Sequence, residues 1–264
     1  MNRALIRRSF VAGVASLVLA AAAGSSAQEV SFLSSSGGGT VRIDRPGSYR
    51  LRHDVRLKGP GAAIVIAADG VTLDLAGHVL TGPGGKLGTG IMIDGRRNVS
   101  VKDGTLRGFG FGVQVANSVN VKVQGLQITG DDAGGPPPGE VGILILNSRG
   151  VEATRNVIAR VFLGLFVRGG GSGANRLFEN TLAGGDTGQI GICYNPDGLG
   201  TPAGPSGDLV YLNLVSGFKI GIQTSPDTRG NLFRKNDIAF VQKAIEELSP
   251  AGANLFDGNF EIAL

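Results

Sequence analysis

The chain is built from short runs in which apolar residues alternate with others after a glycine. Gly112-Val113-Gln114-Val115 is one copy. Gly90-Ile91-Met92-Ile93, Gly142-Ile143-Leu144-Ile145, Gly164-Leu165-Phe166-Val167, Gly191-Ile192-Cys193-Tyr194 and Gly221-Ile222-Gln223-Thr224 repeat it. Period-two alternation sends every second side chain to the same side, so each copy is a short strand with one buried face. A single strand of this length cannot bury that face. Stacked copies can, and a period near 22 residues with extra residues in some turns makes the chain a solenoid.

A second series interleaves with the first, from Val71-Thr72-Leu73-Asp74-Leu75 through Val99-Ser100-Val101-Lys102, Val121-Lys122-Val123-Gln124 and Val151-Glu152-Ala153-Thr154. Its later copies end in Asn180, Asn213, Asn236 and Asn259. A third apolar position follows each copy, at Leu106, Ile128, Ile158, Leu182, Val215 and Ile238. Three strands per repeat describe an all-β fold, a single-stranded right-handed parallel β-helix of about eight coils. At ~4.8 Å per coil this is a rod of roughly 35–40 Å. Asn156, Asn180, Asn213, Asn236 and Asn259 share one turn register, where an Asn stack bonds coil to coil and tolerates left-handed backbone. That spacing reads as a structural ladder rather than a polar active surface.

Ile64-Val65-Ile66-Ala67-Ala68-Asp69-Gly70-Val71-Thr72-Leu73-Asp74-Leu75-Ala76-Gly77-His78 resembles the first full coil of exported, pectin-lyase-like β-helix proteins. The resemblance runs from about Gly47 to Asn259 and is specific for fold. It implies a polysaccharide lyase, hydrolase or epimerase, or one of the many members of unknown activity. The enzyme motifs of that family are mostly missing. Gly130-Asp131-Asp132 resembles the paired aspartates of polygalacturonase-like hydrolases, without the Asn-Thr-Asp segment before it or the Gly-His-Gly and Arg-Ile-Lys segments after it. The epimerase Asp-Pro-His-Asp and the pectate-lyase Arg-x-Pro-x-x-Arg are absent too.

The ends and the charge narrow the picture. Residues 1–27 read as an export signal: basic residues through Arg8, an apolar run from Phe10 to Ala23, and small residues before a cleavage point after Ala27. Arg7-Arg8-Ser9-Phe10-Val11 resembles a twin-arginine signal. The apolar run is too short and too rich in Ala and Gly for a retained membrane anchor. Residues 28–39 read as a flexible leader, 40–68 as N-terminal cap strands and 69–264 as the repeats. Without Arg3, Arg7 and Arg8 the 25 basic side chains become 22, against 21 acidic ones. No basic run remains to hold a phosphate backbone, so nucleic acid is not an expected partner. The expected location is periplasmic or extracellular. The last coil, Asn254 to Leu264, is incomplete and offers a contact for another subunit.

Candidate chemistry gathers at two insertions. Gly130 to Gly139 lengthens the turn before Gly142, and Asn195 to Gly207 lengthens another. Insertions project from a solenoid and wall binding clefts. The register sets Arg107 one coil before Asp131 and Asp132, Arg160 one coil after, and Asp186 beyond. The reading assigns Asp131 and Asp132 as acid/base groups or Ca2+ ligands, and Arg107, Arg160 and Asp186 as substrate contacts. Surface ion pairing is the plainer alternative. No certain cofactor or dedicated metal set is expected: two Met, two His and one Cys supply no soft-ligand cluster. His53 and His78 read as turn or cap residues. Met92, Gln114, Leu144, Phe166, Cys193 and Gln223 form an outer stripe for sugar rings, for the first insertion, or for a partner. The functional expectation is a carbohydrate-active or polysaccharide-binding protein, with a non-catalytic scaffold as the alternative.

Overall fold

The structure is a computed structural model that describes residues 28–30, 39–131, 140–195 and 204–263. The expected export signal, residues 1–27, lies outside the described residues. All elements described are strands, and each pairs in parallel with a strand of a neighbouring coil. Nine strands stack as face I, from Val41–Ile43 through Phe111–Ala116 to Lys243–Glu247. The other strands form one sheet that bends into faces II and III. In Arg97–Arg107 and Val119–Thr129 a single strand turns that corner unbroken. Face I counts nine strands, close to the expected eight or so coils, and the 40–68 segment lies in register with the repeats. Val41 pairs with Ile64, Tyr49 with Leu73 and Val55 with Leu80. The segment expected to be a loose leader opens with a strand, Gln28–Val30, paired with Tyr49–Leu51.

The recurring glycines are steric rather than conformational. A Cβ built on Gly142 would sit 2.5 Å from Ile158 Cγ2 and 2.6 Å from the Gly164 carbonyl oxygen. Gly112 would meet Ile128 and the Gly142 carbonyl in the same way, and Gly221 would meet Ile238 and the Ala244 carbonyl. At this point face III's inward side chain packs onto the backbone of face I, with no room for a methyl group. The periodic glycine and the periodic Ile/Leu/Val sixteen or so residues later are therefore two halves of one contact.

The corner between faces II and III needs one left-handed residue per coil. Asp103, Gly125, Arg155, Glu179, Leu212, Lys235 and Gly258 supply it, with φ between 51° and 62°. From Arg155 to Lys235 the residue after it is Asn, which turns inward. Asn156, Asn180, Asn213 and Asn236 are fully buried. Each donates its backbone N–H and its Nδ2 to Oδ1 of the Asn on the next coil, at 2.9–3.1 Å. The remaining Nδ2 hydrogen reaches a backbone carbonyl: Val123, Ala153, Leu177 and Val210 in turn. A buried amide with every donor used costs nothing in orphaned groups and locks coil to coil.

A second ladder runs along the corner between faces I and II, through Asn175, Asp208, Asn231 and Asn254. Asp208 replaces an amide with a carboxylate. Its Oδ1 accepts from Asn175 N (2.8 Å), and its Oδ2 accepts from Asn175 Nδ2 (3.2 Å) and from the Tyr194 hydroxyl (3.0 Å). Burial raises the Asp208 carboxyl above the usual range against those hydrogen bonds and the Arg149 charge. Burial and the Asp208 charge push the Tyr194 phenol well above its ordinary value.

Candidate functional site

The corner between faces III and I carries most of the residues singled out in the sequence. On face III, Arg107 pairs with Thr129, Thr129 with Ala159 and Ala159 with Ala183. Gly108 N then bonds Thr129 O, Gly130 N bonds Ala159 O, and Arg160 N bonds Ala183 O, so the stack continues into the turns. Arg107, Asp131, Arg160 and Asp186 thus occupy the same corner on four consecutive coils, and all four are exposed. Asp132 lies outside the described residues. Arg160 holds a left-handed conformation at φ 56°, as do Gly108 two coils before it and Gly217 two coils after it at the same register.

The geometry around Asp131 is specific. Its Oδ2 accepts a hydrogen bond from Gly85 N at 2.7 Å, so the Gly82–Gly88 turn reaches past the short Arg107–Phe111 turn to meet it. Asp131 N donates to Glu140 Oε1 at 2.9 Å. Glu140, the first described residue after the insertion, is 2% exposed. Its Oε2 would lie 2.5 Å from a Cβ on Gly130, and the Arg160 carbonyl lies closer still. Only glycine fits between them. Arg107 Nε donates to Thr81 Oγ1 at 3.3 Å on the coil before.

Two acidic groups of this region escaped the sequence reading. Glu140 closes the base of the first insertion, and its signal was a lone carboxylate directly before an inward-facing strand. Asp54 lies 24 residues from His78, one coil, with Oδ1 3.2 Å from His78 Nδ1 and 3.0 Å from the Val79 N–H that it accepts. The Val79 hydrogen bond, joined by His78 and the Arg107 charge, holds the Asp54 carboxyl below the usual carboxylate range. His78, directly after the Ala76-Gly77 turn, is a partly exposed partner of this carboxylate. Among the described residues no group of three or more His, Cys, Asp or Glu is arranged to hold a metal ion.

In the chain, the first insertion precedes the face I strand Val141–Leu146, and the second follows the face I strand Ile190–Asn195, two coils on. The outer stripe of face I runs in register through Met92, Gln114, Leu144, Phe166, Cys193 and Gln223. The sequence placed Cys193 in the outer stripe. It is 3% exposed, and burial pushes its thiol up to about 12. Leu144, on the coil of the first insertion, is also buried. Gln223 Nε2 donates to Glu246 Oε2 at the far end of the stripe.

No protein-family model and no curated protein sequence matches the chain. Solved structures do match in shape. An alginate lyase from Paenibacillus sp. str. FPU-7 superposes with a TM-score of 0.56 at 14% identity, over 82% of this chain and 93% of the lyase. The enzymatically active domain of tailspike protein 2 of bacteriophage CBA120 gives 0.58 at 14% identity, over 87% of this chain and 42% of that one. A hyperthermoactive exopolygalacturonase from Thermotoga maritima gives 0.50 at 12% identity, over 80% of this chain and 54% of that one. At such identities the likeness is one of fold, the right-handed parallel β-helix of the pectin-lyase-like kind.

Proposed function

We propose that this protein binds or acts on an acidic polysaccharide laid along the corner between faces III and I. The observation that carries the reading is the placement of Arg107, Asp131 and Arg160 on consecutive coils of one corner, beside the first insertion. Coils repeat every ~4.8 Å, about the length of one hexose in an extended glycan. A row of side chains at that spacing meets successive sugars in the same way. Arg107 and Arg160 are two coils apart and supply guanidinium forks suited to carboxylates. Asp131 lies between them, and Asp132 and Asp186 complete the proposed set. The names of the structural neighbours, an alginate lyase and an exopolygalacturonase among them, support a polyuronate over a neutral glycan.

In a catalytic version of this reading Asp131 and Asp132 carry the proton transfers, and the arginines hold the uronate carboxylates. Export through residues 1–27 would place the protein where such polymers occur. The test is a screen of polygalacturonate, alginate and neutral polysaccharides with purified protein, with and without Ca2+. Unsaturated uronate ends report a lyase, new reducing ends a hydrolase, and calorimetry reports binding without turnover. Binding or cleavage of a polyuronate that falls on Arg107→Ala with Arg160→Ala supports the site. A protein indifferent to every uronate in the screen belongs to the alternative class, a scaffold that presents its surface to another protein.

A further inference from the structure

Across the core from that corner, the outer side of face II holds a second set of residues with recognition chemistry. Thr154, Phe178, Tyr211, Arg234 and Asp257 follow one another in register, coil after coil. The Phe178 and Tyr211 rings stack with centroids 4.9 Å apart and planes 9° from parallel. Arg176 ties the stack together: its guanidinium carbon lies 5.3 Å from the Phe178 centroid, and its Nη2 donates to the Tyr211 hydroxyl at 3.3 Å. At the Tyr211 end the next residue in register is Arg234. Its Nε turns to Asp257 Oδ2, 3.0 Å away on the coil beyond. A cavity of about 360 Å3 opens there, lined by Leu209, Tyr211, Leu212, Leu232, Arg234 and Lys235.

The geometry points to a second glycan subsite on face II, in which a hexuronate ring packs against Tyr211 and its carboxylate meets Arg234 and Lys235. The cavity lies across two neighbouring coils, with Leu209, Tyr211 and Leu212 on one and Leu232, Arg234 and Lys235 on the next. Leu209 and Leu232 line it with apolar surface suited to the C–H face of a pyranose. Arg234 and Lys235 are exposed at its rim, and among the described residues Lys235 has no ion-pair partner. Two cations beside an apolar floor complement an acidic sugar better than a neutral one. Leu212, 49% exposed, adds a further apolar wall. The subsite stands apart from the III–I corner and does not depend on what binds there.

The chain has no Trp and three Tyr, of which Tyr49 and Tyr194 are buried, so Tyr211 dominates the tyrosine emission that acrylamide can quench. Titration of the full chain with trigalacturonate is expected to protect that emission from quenching, and maltotriose to leave it unchanged. By calorimetry, Tyr211→Leu and the pair Arg234→Ala with Lys235→Ala each weaken this binding roughly tenfold, whereas Tyr211→Phe keeps it. Far-UV circular dichroism checks that each variant is folded, and the Arg234/Lys235 pair on the exposed rim decides the matter if Tyr211→Leu does not fold. Unchanged quenching with trigalacturonate, or equal protection by maltotriose, overturns the proposal. A glycan that binds only at the corner leaves Tyr211 quenching unchanged, so the two readings fail separately.

Discussion

Replacing Asn180 with alanine probes the feature that ties one coil to the next. The Asn180 side chain accepts from Asn156 N (3.1 Å) and Asn156 Nδ2 (3.0 Å), and donates to Ala153 O (2.9 Å) and Asn213 Oδ1 (2.9 Å). Alanine removes all four bonds at a site with no access to water. Not every partner is orphaned: Asn156 Nδ2 keeps Val123 O, and Asn213 Oδ1 keeps the Asn180 N–H. The Asn156 N–H loses its acceptor outright. With about 1 kcal/mol for an ordinary bond lost and ~1–3 kcal/mol for an orphaned buried group, the expected loss is about 2–4 kcal/mol. Asn259 provides the internal control. It is only half-buried and closes the ladder: it accepts from Asn236 N and Nδ2 and donates to Phe233 O, with no further Asn beyond it. Asn259→Ala should cost about 1 kcal/mol or less, because water can replace its partners. Urea unfolding followed by far-UV circular dichroism measures both. Equal losses for the two variants, or a loss below about 0.5 kcal/mol for Asn180→Ala, would refute the claim that buried amide bonding holds the coils together.

Gly142→Ala is expected to destabilise by about 1–3 kcal/mol through overpacking against Ile158 and the Gly164 carbonyl, and trimming Ile158 to Ala should not restore it, since the carbonyl clash remains. Chemical denaturation of the single and double variants tests this. Asp208→Asn should raise stability near neutral pH. A carboxyl whose folded value is raised contributes stability that is full below its unfolded value of 3.8 and lost as pH rises through the folded value. The stability difference between variant and native protein should therefore grow as pH climbs from 3.8, in unfolding curves taken across that range. The chain's one thiol, Cys193, should resist a thiol-reactive dye in the folded protein and react at once in denaturant, because burial both hides it and keeps it protonated.

The sequence showed the solenoid plainly because its two strongest signals are local. Alternation within each short strand marks the inward side, and the Asn register is visible as a repeated letter at each turn. The physical reason for the glycines was not visible, since it lies in a contact between Gly142 and Ile158 on two different faces. Insertions hid more. The Asn ladder steps by 24, 33 and 23 residues from Asn156 to Asn236, so no fixed offset aligns Phe178 with Tyr211 across the 196–203 segment. Asp208 went unrecognised because a carboxylate in an amide ladder differs from its neighbours only in what it can donate. Glu140 and Asp54 were missed for a related reason: each bonds to backbone N–H groups, which leave no trace in the pattern of side chains. The corner that gathers Arg107, Asp131, Arg160 and Asp186 was legible from register alone. Its chemistry was not, because the residues of the resembling enzyme motifs are absent and the corner's own bonds involve Thr81, Gly85 and Glu140.

The most direct test of the proposed corner site is an NMR titration of the protein with an oligogalacturonate, followed at the arginine Nε and backbone amide signals. If one glycan lies along consecutive coils, Arg107 Nε, Arg160 Nε and the Gly130 and Asp131 amides shift together and saturate with a single affinity. Shifts absent from all four while the sugar binds elsewhere, or no shifts at any concentration, would contradict the assignment of this corner to a polyuronate.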